Sequence, residues 1–319
     1  MQARSQAGCA FASLLLRESP FMSSQNDHAR GLLLSAVGGM ALTVDIPLIR
    51  LADGAPWSIL MMRCGTTLLA TLAMWLVMRR IMRDPPPLVP GRSGAIVALL
   101  YALSAVTFIG AVYHTATANL VFILAFNTMF AALLSWLFLK ERPRPATLIA
   151  MAVMLVGVLI IVGDGMSSGH LLGDLMALSS AFCIALAITI TRASGRNMGF
   201  TPLVAVVLPF VVAAAMVTRT GYHVTAPWWI VLDGFIIMPL SFFCLASGPR
   251  YLSAPEVAMF YLLETVLAPV WVWMIFAEVP SRQSMIGGTI LIVSLIAHSL
   301  WQLHQGRKRR AAALVRHPV

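Results

Sequence analysis

Five ionisable side chains interrupt otherwise apolar stretches of this sequence: Asp45, Arg63, Asp233, Glu264 and His298. In hydrocarbon each is costly to hold, so each must face a cavity or a partner. Asn119, Asn127 and Glu256 add polar groups to two of the same stretches. Glu264 lies near the middle of its run, where it either binds a substrate amine or a proton, or accepts hydrogen bonds that only tie helices together. Asp45 and Arg63 sit near the same end of consecutive runs. They are expected to pair across a helical hairpin, as a structural ion pair or as part of a cavity wall. Asp233 reads as a mouth residue that concentrates cations, and His298 as a residue reaching the interface. Two runs combine these groups with aromatic rings: Asn119, Phe122, Phe126 and Asn127 in one, Glu256, Phe260, Tyr261 and Glu264 in the other. Amide, carboxylate and ring together suit an amphipathic solute with an amine and an apolar body. Ordinary aromatic packing between helices is the competing reading.

Several chemistries are absent from the sequence. It contains no HExxH and no Walker-type Gly-x-x-x-x-Gly-Lys, so neither metalloprotease-type hydrolysis nor ATP-driven work is expected. His114, His170 and His298 do not cluster, and Cys9, Cys64, Cys183 and Cys244 are scattered without a CxxC. No metal, cofactor or disulfide framework is expected. The chain is read as a non-enzyme, with an intramembrane enzyme and a non-transporting receptor as remote alternatives.

The elements that must position these groups follow from composition. Of 319 residues, 59% are hydrophobic and 11% charged, with a mean hydropathy of +0.86. A soluble chain carries roughly 25% charged residues, so the solvent is a lipid bilayer. Ten apolar runs can be marked, at 31–49, 57–78, 94–112, 118–139, 146–163, 175–191, 201–218, 228–247, 257–277 and 284–303. Each approaches the ~20 residues that span a bilayer as a helix. The formal charge of +10 lies in the links, which points to membrane orientation and away from nucleic acid. With the N-terminus inside, 18 Lys and Arg fall on inner segments and three (Arg50, Arg219 and Arg282) on outer ones. Both termini are therefore expected in the cytoplasm.

The chain also compares with itself. Residues 116–144 and 253–281 align at a shift of 137, matching Thr128 with Thr265, Ala131 with Ala268, Trp136 with Trp273 and Glu141 with Glu278. Five spans per half put the second half upside down, the inverted repeat of many transporters. The expected organisation is a disordered cytoplasmic tail over 1–29, five-helix repeats over 30–163 and 164–303, and a basic cytoplasmic tail over 304–319. The Pro85–Pro87 run reads as a stiff connector. Met22 is a second candidate start.

These residues carry a family resemblance. Tyr251, Ser253, Pro255 and Glu256, then Glu264 and Thr265, then Pro269, Trp271 and Glu278 follow one another in the second half. Trp136, Lys140, Glu141 and Arg142 close the fourth span of the first. Over about 31–303 the sequence resembles the EamA-type transporters of the drug/metabolite transporter superfamily. The bacterial aromatic amino-acid exporters are one comparison within it. The resemblance implies ten helices, cytoplasmic termini, a glutamate at the Glu264 position and a small-molecule substrate.

Prolines divide the spans. Pro47, Pro209, Pro239 and Pro269 fall within spans one, seven, eight and nine. Kinked helices commonly line cavities. Spans five and ten carry Gly157, Gly287 and Gly288 instead, which suit close packing. They are expected at the periphery, where a homodimer contact is one use for them. The reading is a secondary transporter of the bacterial inner membrane, exporting an amino acid or related solute by alternating access. Protons are a candidate coupling partner and uptake is the alternative direction.

Overall fold

The computed structural model describes residues 25–81, 87–139, 145–194, 198, 200–247 and 254–316. Pro85, Pro86, Glu141, the segment 251–253 and nearly all of the expected N-terminal tail lie outside these residues, as does the side chain of Glu256.

Among the described residues the chain is helical, with one isolated β-bridge and no strand. In order the helices are α1 (Gln25–Leu42), α2 (Asp45–Ala52), α3 (Pro56–Ile81), α4 (Gly91–His114), α5 (Thr117–Ala125), α6 (Asn127–Leu139), α7 (Pro145–Ser168) and α8 (Leu171–Ser194). Then come α9 (Thr201–Val204), α10 (Val207–Thr220), α11 (Pro227–Leu232), a π-turn (Asp233–Ile237), α12 (Met238–Ser247), α13 (Ala254–Phe276) and α14 (Arg282–Arg316). Pro56, Pro145 and Pro227 open their helices, where a missing N–H costs nothing. α1 begins at Gln25, inside the stretch expected as tail, and α14 runs on to Arg316, so the basic 304–316 segment continues the last helix.

Nine candidate membrane spans lie among the described residues. Four are composite: α1 with α2, α5 with α6, α9 with α10, and α11 through the π-turn to α12. The described apolar part of α13, Leu263–Phe276, is shorter. Sequence had named proline as the breaker, and the breaks follow it only in part. The first span breaks at Thr43 and Val44, just before Asp45, and the fourth at Phe126 with no proline near. Pro269 instead lies inside continuous α13.

The packing pairs distant parts of the chain. α4 lies along α8, and α12 along α1. α7 packs on α14, α10 on α3, α13 on α1 and α5, and α6 on α8. Gly157 and Gly287 make the α7–α14 crossing. A Cβ on Gly157 would come 2.9 Å from the Gly287 carbonyl oxygen. The glycines of these two spans are thus used within the chain. The α1–α2 span is the most enclosed, with 56% of its window buried, and α7 the least, at 22%. The principal core gathers Ile46, Ile49, Ile59 and Leu60 with Ile109, Leu120, Ile123, Ile161, Ile230 and Leu291.

Candidate functional site

Three charges converge in the bundle. Arg63 of α3 donates through Nη2 to both oxygens of Asp45, at 2.7 Å each, and through Nε to Asp233 Oδ2 at 2.8 Å. Asp45, Arg63 and Asp233 are 3%, 6% and 0% exposed. The Phe108 ring of α4 lies under the guanidinium, 5.5 Å from its centre, and the Met238 sulfur is 3.1 Å from Nη2. One guanidinium thus serves two carboxyl groups in a buried site.

Local breaks in the helices aim each carboxylate. Asp45 opens α2 after the Thr43–Val44 interruption. Thr43 donates its hydroxyl to the Met40 carbonyl at 2.7 Å and accepts the Trp271 indole N–H of α13 at 3.1 Å. Asp233 opens the π-turn, a wider helical turn frequently found at functional sites. The next residue, Gly234, lets this turn lie against α3. A Cβ there would overlap Thr66 Oγ1 and come 2.6 Å from the Arg63 carbonyl oxygen. The Asp233 carboxylate is thereby carried onto Arg63. Its other oxygen, Oδ1, is buried with no hydrogen-bond partner among the described residues.

Glu264 of α13 stands within electrostatic reach of Asp45 and Arg63 and is only partly buried. Tyr261, one turn earlier and 41% exposed, interacts with both Glu264 and Tyr101 of α4. α4 and α13 are not packed side by side among the described residues. Tyr101 and Tyr261 are the polar groups of these two helices that come near each other. Phe260 packs with Leu42 and Leu245, and its backbone carbonyl lies where a Cβ on Gly39 would be 2.6 Å away.

The remaining sequence candidates fall elsewhere. Asn119 is buried at a helix end, where its Oδ1 accepts the Ser284 hydroxyl. The Phe122 ring covers Gly288 of α14. Phe126 packs edge-on to Phe130, with centroids 5.0 Å apart. Asn127 opens α6. These four are not brought to the charge cluster. Asp233 lies at its centre and not at a mouth. His298 stacks on Trp301.

Two features at the Gly54 end of the bundle had no clear signal in the sequence. The loop after α2 and the loop before α11 join through backbone bonds from Ala55 N to His223 O (2.9 Å), Thr225 N to Asp53 O (2.8 Å) and Ala226 N to Ala52 O (3.0 Å). Tyr113 adds its hydroxyl to the Gly54 carbonyl at 2.8 Å. Beside this bridge Arg50 pairs with Glu278, whose other oxygen accepts the Thr117 amide of α5 at 2.8 Å. An external groove of about 480 Å³ lies along α11 and the π-turn, lined by Trp228, Val231 and Phe235, and none of the charged groups reaches it. Among the described residues no group of His, Cys, Asp and Glu could hold a metal ion.

The comparisons decide the class. Residues 29–163 match the EamA-like transporter family. The first half of the chain thus carries an EamA-like transporter domain, and the chain is similar to membrane transporters. It is 26% identical over 245 residues to the pseudopaline exporter CntI of Pseudomonas aeruginosa strain UCBPP-PA14, spanning 72% of this chain and 82% of that one. The pseudopaline exporter of strain PAO1 matches with the same figures. The uncharacterized transporter YdfC of Bacillus subtilis strain 168 is 25% identical over 172 residues, 51% of this chain and 56% of that protein. A solved crystal structure superposes with a TM-score of 0.60 at 15% identity, over 86% of this chain and 98% of its own, which speaks to the fold alone.

Proposed function

We propose that this chain is an EamA-type transporter that exports a small amphipathic metabolite carrying an amine across the bacterial inner membrane, by alternating access. The observation that carries this reading is the Asp45–Arg63–Asp233 cluster with Glu264 in reach. Four ionisable groups from four spans, two before residue 164 and two after it, meet where two helices break. Such groups are retained in a membrane where they meet a substrate or a coupling ion. With two carboxyl groups to one guanidinium, the cluster has acid groups to spare for a cationic group, and Tyr101 and Tyr261 offer rings for an apolar body. Relatives named as exporters favour the outward direction.

The helix pairing supports ten spans arranged as two inverted sets of five. If α13 counts as span nine, the contact of span three with six is mirrored by that of eight with one, and four with six by nine with one. Five with ten and two with seven are each their own mirror. The excess of Lys and Arg on alternate links supports cytoplasmic termini, which makes the bridged Gly54 end the outer one.

The test is efflux from cells or proteoliposomes loaded with labelled basic and aromatic amino acids. Faster loss than from controls, abolished by Glu264→Gln, is expected. A solute that raises the melting temperature yet never crosses sealed vesicles would overturn the reading in favour of a receptor.

A further inference from the structure

A third buried acid lies outside the charge cluster, at the Gly54 end. Asp174, in the first turn of α8, is 0% exposed. Thr115, just after α4, donates its hydroxyl to Asp174 Oδ1 at 2.6 Å. The other oxygen, Oδ2, has no partner among the described residues. It rests on Gly165 of α7, where any Cβ would overlap it. On the far side Gly173 meets the backbone of His114 and Thr115, so α8 cannot shift to relieve the carboxylate.

The surroundings offer little to an anion. The amide of Asn119 faces Asp174 from α5. Of ionisable groups, Asp164 of α7 repels a negative charge here and His170, ahead of α8, attracts one. α6 carries no ionisable residue. No Lys or Arg pairs with Asp174 among the described residues. Even with the Thr115 hydroxyl and the Asn119 amide beside it, a buried carboxylate with no paired cation and an orphaned oxygen costs several kcal/mol, whereas the neutral acid does not carry that charge penalty.

We propose that Asp174 is a proton-binding site: in this conformation its carboxyl carries a proton on Oδ2, and it loses that proton only when this end of the bundle opens to water. The same polar network crosses between the N-terminal and C-terminal parts of the chain. Asn119 accepts from Ser284, Ser284 also approaches Asp164 at 3.3 Å, and Ser281 donates its hydroxyl to Asp164 while accepting the Ser284 amide at 3.0 Å. Ionising Asp174 would place a second negative charge beside Asp164 inside this network and favour its separation. Proton binding would thus close this end and proton loss would open it. The site does not depend on the proposed substrate, since a proton can be counted on the protein alone.

The experiment is infrared spectroscopy of the purified protein in lipid nanodiscs, across neutral to alkaline pH. A protonated-carboxyl band at neutral pH that Asp174→Asn removes and Asp164→Asn retains is expected. A band unchanged by Asp174→Asn would overturn the proposal. So would a melting temperature that rises with sodium in the parent but not in that variant, which would mark a metal-cation site instead. If Asp174→Asn does not fold, Thr115→Val serves. Loss of the hydroxyl that favours the anion should move the disappearance of the band to higher pH, and an unmoved titration would count against the site.

Discussion

Arg50 and Glu278 pair at the same end of the bundle although 228 positions separate them in sequence. The pair fastens the end of α2 to the chain just beyond α13, and Glu278 also holds the first turn of α5 through Thr117. The proposed alternating-access cycle would have to undo this contact together with the Ala55–His223 backbone bridge.

Cysteines at Ala55 and His223, in a chain whose four native cysteines are replaced, should therefore cross-link readily in the resting protein. Adding Arg50→Ala should lower the yield several-fold. Gel mobility under non-reducing conditions reads this directly, and an unchanged yield would show that the ion pair contributes nothing to closure. The two side chains are 21% and 25% exposed, so the effect on global stability should stay within about 1 kcal/mol.

Removing Arg63 alone leaves Asp45 and Asp233 buried without a counter-charge. Arg63→Met should cost about 3–5 kcal/mol, seen as a lowered melting temperature in detergent. The triple change Asp45→Asn, Arg63→Gln and Asp233→Asn removes charge from every member at once and should recover much of that loss. If the cluster also meets substrate, the recovered protein will still not transport. Recovery of both stability and efflux would reduce the cluster to a structural tie.

Glu264 should behave differently. It has no ion-pair partner within contact distance among the described residues. Glu264→Gln keeps the shape and should leave the melting temperature nearly unchanged, while efflux of an amine-bearing solute falls at least about tenfold, the equivalent of about 1.4 kcal/mol. Parallel loss of both would assign the residue to helix packing.

Gly234→Ala tests how Asp233 reaches Arg63. The added methyl meets Thr66 Oγ1 and the α3 backbone, which cannot yield as a flexible side chain would. Overpacking of this kind costs about 1–3 kcal/mol. Gly163→Ala, with nothing within 4 Å of the new methyl, is the matched control and should be near neutral by thermal melting.

Much of this architecture can be read from the residues, and the exceptions have physical causes. Asp45 and Arg63 lie near one end of consecutive spans, so a hairpin brings them together whatever the details. Asp233 could not be placed the same way. Its direction depends on a π-turn, and no hydrophobic period reveals one. Asn119 and Phe126 share a face of an unbroken helix, but the helix is interrupted at Phe126, and the two side chains serve different neighbours. Arg50 and Glu278 looked like ordinary link residues, because pairing between distant loops leaves no spacing to detect. The glycines of spans five and ten were legible as packing residues, since only a missing side chain permits such an approach of backbones.

The π-turn at Asp233–Ile237 also sets a constraint of length. Ahead of it Asp233 must face Arg63. Beyond it Ser241, Cys244 and Leu245 must meet Gly38 of α1, where a Cβ would come 2.8 Å from the Cys244 side chain. Each residue of an α-helix advances the azimuth by about 100°. Deleting any one residue from this turn would let ordinary helix re-form, but it would swing one contact surface away while the other stayed in place. The span is thus phased like a key cut on two sides, and its tolerance for substitution should far exceed its tolerance for a change in residue number.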